Sequence, residues 1–266
     1  MIPNVLTIAT TDPSGGAGVL ADLKAFSANG AYGMGVLAAL TAQNTQTVTG
    51  IYPIPLDFIT RQIDTLYADV RVDSVKIGML GTAEITRRVA ADLRRHNAKR
   101  IVIDPVMVSK SKHQLLAHDA IESLRSELFP LAEIITPNIP ETEVLLGCAP
   151  IKNLDDMRKA ARALRELGPR IVMVKGGHLD GTESIDIVDD GVTQTELRAP
   201  RIATKNTHGT GCTLSAAIAA QLPQCATPLD AIRAAKAYLT RAIETSDALD
   251  VGSGHGPTHH FWNLWK

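Results

Sequence analysis

Along the chain, short runs of β-branched and aliphatic residues alternate with longer segments whose apolar positions recur at helical spacing. NVLTIA (4–9) is followed by a helical pattern over 17–29, GVLAAL (35–40) by one over 56–69, and SVKIGML (74–80) by one over 82–96. RIVIDPV (100–106) precedes 116–128, AEIIT (132–136) precedes 140–146 and 153–167, and RIVMVKG (170–176) ends the series. This alternation predicts an α/β fold with a mostly parallel central sheet covered by helices on both faces. SIDIVDDGVTQTEL (184–197) breaks the rule, because two alternating runs flank Asp190-Gly191, a pair suited to the positive-φ turn of a hairpin. It predicts a small antiparallel edge. KNTHGTGCTLSAAIAA (205–220) then opens a buried helix, and the Ala-rich segment from Pro228 to about Leu249 forms another. With no low-complexity linker and no internal repeat, residues 1–266 read as a single domain.

Composition narrows the function classes. Hydrophobic residues make up 45% of the chain, and 27 basic against 28 acidic side chains leave a net charge of −1, so nothing calls for nucleic acid or a membrane surface as partner. Cys148, Cys212 and Cys225 have neither the spacing of a zinc site nor the even number of a disulfide framework, which fits a reducing compartment. No apolar run reaches the ~18 residues of a membrane span, and the N-terminus lacks a basic region before a long apolar core. The expectation is a cytoplasmic protein.

Ligands of open α/β sheets bind beyond the carboxyl ends of the strands, which directs attention to the loops after the apolar runs. In THGTGC (207–212), glycines let the backbone approach a ligand, and a helix starting near Gly211 would aim unpaired amides at an anion. A tight turn packed on the sheet is the other reading. Cys212 at that helix start would have its thiolate favoured and could accept a proton from a hydroxyl, or could be a small buried residue. Asn138 and Glu141 in TPNIPE, with Asp104 in DPVM, could offer oxygens to magnesium, or Asn138 and Glu141 could simply begin a helix. Gln43 and Asn44 could pair with the edge of a heterocycle or cap a turn. Lys175, before Gly176-Gly177, could reach a phosphate or stand solvated at a strand end.

Taken in order, DPSGGAGVLADLKAFSANGAYG, TAQNT, KIGML, DPVM, TPNIPE, VKGGH, TKNTHGTGCTLSAAIAA and VGSGHGPTHHF resemble one family over nearly the whole chain. It is the hydroxymethylpyrimidine/phosphomethylpyrimidine kinase family of thiamine biosynthesis, within the ribokinase-like superfamily. The resemblance implies a Rossmann-like three-layer sandwich that uses ATP with Mg2+ to phosphorylate 4-amino-5-hydroxymethyl-2-methylpyrimidine and then its monophosphate. It implies that Gln43 reads the aminopyrimidine, with Asp22, Thr10, Met79 and Val106 lining the pocket. Asp104 and Glu141 would serve the metal, Lys175, Thr207, His208 and Asn138 the nucleotide, and Gly209, Thr210, Gly211 and Cys212 the anion hole and proton transfer. A homodimer is also implied.

Two positions depart from the family pattern: Thr10 stands where relatives carry glycine, and Lys112 replaces the glycine of a KSG turn in a flap segment. A pyridoxal kinase on the same scaffold is the nearest alternative, and a pyrimidine-binding sensor without turnover is a further one. In the C-terminal HHFWNLWK, the adjacent histidines suit one solvent-facing and one core-facing ring, while the aromatics dock the tail or form a subunit interface.

Overall fold

The computed structural model describes residues 1–107 and 118–265, so the segment carrying Lys112 lies outside the described residues. The apolar runs become strands β1 (Asn4–Thr10), β2 (Tyr32–Gln43), β3 (Val48–Pro53), β4 (Ser74–Ile77), β5 (Ile101–Ile103), β6 (Ile134–Ile135), β7 (Ile171–Val174), β8 (Glu183–Asp189) and β9 (Gln194–Pro200). They form one sheet in the order β3-β2-β1-β4-β5-β6-β7-β8-β9. From β2 through β7 every pairing is parallel. Strands β4 to β7 are buried at every residue, which is why they read as continuous apolar runs.

The expected hairpin is present as β8 and β9. A second antiparallel edge, β3 on β2, was not expected. All six residues of β3 are exposed and the run contains Gly50 and Pro53, so it carries no burial alternation to betray a strand. Its partner β2 continues to Gln43, well past the end read from GVLAAL, and places Gln43 on a strand end.

Helices α1 (Gly18–Ala28), α2 (Leu56–Tyr67), α3 (Ala83–Arg95), α4 (His118–Ser123), α5 (Ile139–Leu146), α6 (Leu154–Arg165), α7 (Thr210–Gln221) and α8 (Pro228–Glu244) complete the layers. Local chemistry sets several of their starts: Thr82, Asn153 and Thr227 each accept a first-turn amide at the head of α3, α6 and α8. One apolar cluster unites α2 to α6 with one sheet face through Ile59, Val89, Leu145 and Leu164. The other joins α1, α7 and α8 through Phe26, Ile218 and Ile232. Each such buried side chain contributes roughly 1.5–3 kcal/mol by leaving water. Residues Thr213 to Ala220 of α7 are all buried, and apart from Leu214 and Ile218 their side chains are small, which lets this central helix lie between the sheet, α1 and α8.

Inside the α1 face sits an ion pair. Lys76 on β4 donates to both carboxylate oxygens of Asp22 on α1, at 2.9 and 2.8 Å, and Thr7 adds a hydroxyl at 2.6 Å. Both charged side chains are fully buried. Burial works against the ammonium, but the Asp22 carboxylate outweighs it and holds Lys76 protonated beyond the ordinary lysine value.

The tail is anchored by main-chain and ring contacts. His259 N–H donates to Ala242 O at 2.8 Å, Tyr238 Oη donates to His260 O at 2.9 Å, and His260 Nε2 meets Thr213 Oγ1 at 3.1 Å. Both histidines are buried, so the expected division into one solvent-facing and one core-facing ring does not hold; the tail folds back under α7 and α8 and covers both. Burial, aided by the nearby Lys24 and His259, lowers the His260 pKa to about 3. No helix among the described residues is long and apolar enough to cross a membrane.

Replacing Lys76 by Met strands a buried carboxylate and is expected to cost roughly 3–5 kcal/mol in urea unfolding, much of it recovered when Asp22 is also made apolar. An unchanged K76M midpoint would show that the pair contributes nothing. For His260 the folded pKa lies below the unfolded one, so the unfolded chain takes the proton first. The stability it contributes is present above pH ~6.5 and is lost as pH falls toward 3, by up to about 1.4 kcal/mol per unit. The stability gap between wild type and H260Q should therefore narrow between pH 7.5 and 5, and a constant gap would contradict it.

Candidate active site

The carboxyl ends of the parallel strands continue hydrogen-bonding to one another after the ladders end, and this draws their loops together. Thr10 N–H reaches Met79 O, Gly78 N–H reaches Ile8 O, Asp104 N–H reaches Ile77 O, Thr136 N–H reaches Ile103 O, and Lys175 N–H reaches Pro137 O. Thr10, Met79, Asp104 and Lys175 are thereby ranged along one rim.

Gly209 is the N-cap of α7 and sits at φ 74°, a left-handed conformation that suits glycine. A side chain there would run into the carbonyl of Gly16, so the SGGAG loop after β1 and the THGTGC loop before α7 are in backbone contact. A Cβ on Gly211 would lie 3.2 Å from both Asp104 Oδ2 and Lys175 Nζ. The first turn of α7 thus faces a carboxylate and an ammonium across bare backbone. Its leading amides lack intrahelical acceptors and are suited to an anion.

Cys212, the third residue of α7, is enclosed by protein while still partly open to the cleft. Its thiol is pushed up to about 11, first by burial and then by the Asp22 and Asp104 carboxylates; Lys76 and the Gly18 N–H act in the opposite direction. This corrects the expectation from the helix end alone: the favourable amides are present, but burial, with the neighbouring carboxylates, outweighs them and favours the thiol.

Asp104 is buried, accepts from Lys175 Nζ at 2.9 Å and lies 3.3 Å from Thr136 Oγ1. Glu141 is buried beside them. Desolvation and the Asp104 charge raise its pKa to about 7 against the pull of Lys175. Asn138 and Glu141 form a reciprocal capping box at the start of α5: Asn138 Oδ1 accepts from Glu141 N–H at 2.9 Å, and Glu141 Oε2 accepts from Asn138 N–H at 2.8 Å. The helix-start reading therefore holds for both residues, with the Asn138 side chain committed to the cap. Glu141 additionally belongs to the charged cluster. Two buried carboxylates with one ammonium form a hard-oxygen set in which a divalent cation would relieve excess negative charge, so Asp104 and Glu141 fit magnesium holding most of its waters. Among the described residues no group of three or more His, Cys, Asp or Glu forms a ready metal cage.

The substrate end is built on β2. A register shift between Ala42 and Gln43 marks a bulge, a device that re-aims a side chain at a sheet edge. Gln43 Oε1 lies 3.3 Å from Thr41 Oγ1, which itself donates to Thr11 O at 2.8 Å. Asn44 instead caps the turn, accepting from the N–H groups of Gln46 and Thr47 at 2.9 Å. Met79 and Val106 are half-buried on neighbouring strand ends, Thr10 is buried, and Asp22 lies in its ion pair beneath. His208 is turned to Asp12, with Nε2 2.7 Å from Oδ2, and Thr207 N–H donates to Lys205 O.

Two features escaped the sequence. Lys76 was visible as a lone charge inside SVKIGML, and a lysine in a fully buried strand demands a countercharge. The Asp12–His208 contact spans 196 residues and left no local signal.

A profile for the phosphomethylpyrimidine kinase family matches residues 12–259. The hydroxymethylpyrimidine/phosphomethylpyrimidine kinase of Salmonella typhimurium is 48% identical over 98% of both chains. Among solved structures, the phosphomethylpyrimidine kinase of Clostridium difficile superposes with a TM-score of 0.82 at 43% identity, covering 91% of this chain and 99% of that one. The ADP complex of Bacillus subtilis pyridoxal kinase superposes with a TM-score of 0.89 at 38% identity, over 98% of both chains. The last likeness extends the ribokinase-like fold to a neighbouring specificity, whereas the profile and the full-length identity point one way: the chain belongs to the hydroxymethylpyrimidine/phosphomethylpyrimidine kinase family.

Proposed function

We propose that this chain transfers the terminal phosphoryl group of ATP to the hydroxymethyl oxygen of 4-amino-5-hydroxymethyl-2-methylpyrimidine, and then phosphorylates the monophosphate, in thiamine biosynthesis. The observation that carries the reading is Cys212 on the first turn of α7, beside Asp104 and Lys175, in a chain of this family.

Each residue then has a task. The amides of Gly209 to Cys212 and the Lys175 ammonium hold the transferred phosphoryl group, where fixed donors act on developing charge. Gln43 pairs its amide with the aminopyrimidine edge, and Met79 and Val106 close on the ring. Cys212 Sγ accepts the hydroxyl proton. In a loose transition state that proton departs late, so positioning counts for more than a low resting pKa. Lys76 and the Gly18 N–H supply the stabilisation a transient thiolate needs. Magnesium held by Asp104 and Glu141 would offset charge on the ATP phosphates. In this reading Thr207 and Lys175 serve the nucleotide, whereas His208 is committed to Asp12.

The whole chain is proposed to work as a single kinase domain, in the cytoplasm and as a homodimer. The exposed Leu40, Val48, Ile51 and Tyr52 of the β2–β3 edge are consistent with subunit contact.

Cys212→Ala is expected to lower kcat roughly 10²–10⁴-fold with pyrimidine affinity nearly unchanged, by steady-state assay and calorimetry. Near-normal turnover would remove Cys212 from the chemistry. The resemblance to pyridoxal kinases makes vitamin B6 compounds the second substrate class. Here kcat/KM should favour hydroxymethylpyrimidine over pyridoxal. The reverse order would make this a pyridoxal kinase, and tight pyrimidine binding without ATP consumption would make it a sensor.

A further inference from the structure

We infer that the pair formed by buried Asp12 and half-buried His208 is a positioning device for Cys212, clamping the loop after β1 onto the loop before α7 so that the start of α1 stays packed against the start of α7. The inference rests on the reading of Cys212 as proton acceptor.

The geometry is that of a clamp with one carboxylate at its centre. Asp12 is 1% exposed, and its oxygens serve two sides. Toward its own loop, Oδ1 accepts from Ser14 N–H at 2.9 Å and Ser14 Oγ at 2.7 Å, and Oδ2 accepts from Ala17 N–H at 3.0 Å. Toward the other loop, Oδ2 meets His208 Nε2 at 2.7 Å. A carboxylate can only accept, so the imidazole donates from Nε2. Burial works against the Asp12 charge, but the hydrogen bonds from His208 and Ser14 outweigh it and keep the carboxyl below its ordinary value.

Around this centre there is little room for adjustment. A side chain on Gly16 would strike the His208 ring, and one on Gly209 would strike Gly16 O. His208 N–H donates to Gly256 O at 3.0 Å, which fixes the outer side of the ring's own backbone to the tail. Ala17 is the N-cap of α1 and Gly18 its first residue, held at φ 59° with no space for a side chain beside Thr10 O. The hydrogen bond to Ala17 therefore sets where the Gly18 N–H points, and that N–H favours the Cys212 thiolate. His208 lies four positions before Cys212, so the same pair ties the start of α1 to the turn that carries the sulfur.

The test compares H208A, H208Q and G16A with wild type. Gln retains a donor near the place of Nε2 and Ala does not, while the methyl group added by G16A displaces the ring and leaves Asp12 and His208 in the chain. H208A and G16A should lower kcat roughly 10- to 100-fold with pyrimidine KM within about twofold, and H208Q should recover most of the loss. Iodoacetamide labelling of Cys212, followed by peptide mass spectrometry, should slow in H208A and G16A and not in H208Q. Full turnover in H208A overturns the inference, as does a rise in ATP KM at unchanged kcat, which would return His208 to nucleotide binding. Equal damage in H208A and H208Q, with unfolding midpoints matching wild type, also overturns it. An active C212A enzyme would instead defeat the proton-acceptor reading, while the labelling rates would still report on the clamp.

Discussion

Two lysines hold a cluster of acids together in the interior of this protein. Asp22, Glu141 and the Cys212 thiol lie close to buried Asp104, and burial together with nearby negative charge opposes the ionisation of these three. Lys76 and Lys175 compensate, each with its ammonium against a carboxylate at 2.8–2.9 Å. Without them the loops could not converge, because buried charges without partners cost several kcal/mol each. Even with them, burial and the neighbouring carboxylates keep the Glu141 and Cys212 values raised. Such a site is suited to a metal–nucleotide complex that brings its own cations.

Glycine supplies the second condition. Gly16 and Gly209 allow two backbone segments from opposite ends of the chain to touch, and Gly211 leaves Asp104 and Lys175 beside bare main chain. The amides of α7 and the sulfur of Cys212 are then presented to the same small volume. Positioning of this kind matters most in phosphoryl transfer, where the protein orients and stabilises charge more than it performs covalent chemistry. The contact is also why a clamp at Asp12 and His208 can reach the chemistry without touching substrate.

Much of the fold was legible because buried parallel strands and amphipathic helices write their periods into the chain. The runs at 4–9, 74–80 and 170–176 and the Asp190-Gly191 turn all became the expected elements. The edge strand β3 was not legible, since a strand exposed at every residue has no buried face to impose a pattern. In the site, loop motifs marked Cys212, Asp104, Glu141 and Gln43 as candidates. They could not show that Asn138 spends its side chain on capping α5, or that both tail histidines are covered.

By itself the sequence determined the layer architecture, the loops that carry polar chemistry, and the glycines at which a backbone must come close to something. These are local properties, governed by side-chain period and by the φ values a residue tolerates. Only the tertiary structure decided which charges meet. Whether Lys76 finds Asp22, whether His208 turns to Asp12, and whether a helix end or its carboxylate neighbours govern the Cys212 proton depend on residues 54, 196 and 190 positions apart in the chain, respectively. Electrostatic energy falls with distance in space and is scaled by burial, and neither quantity exists until the chain has folded.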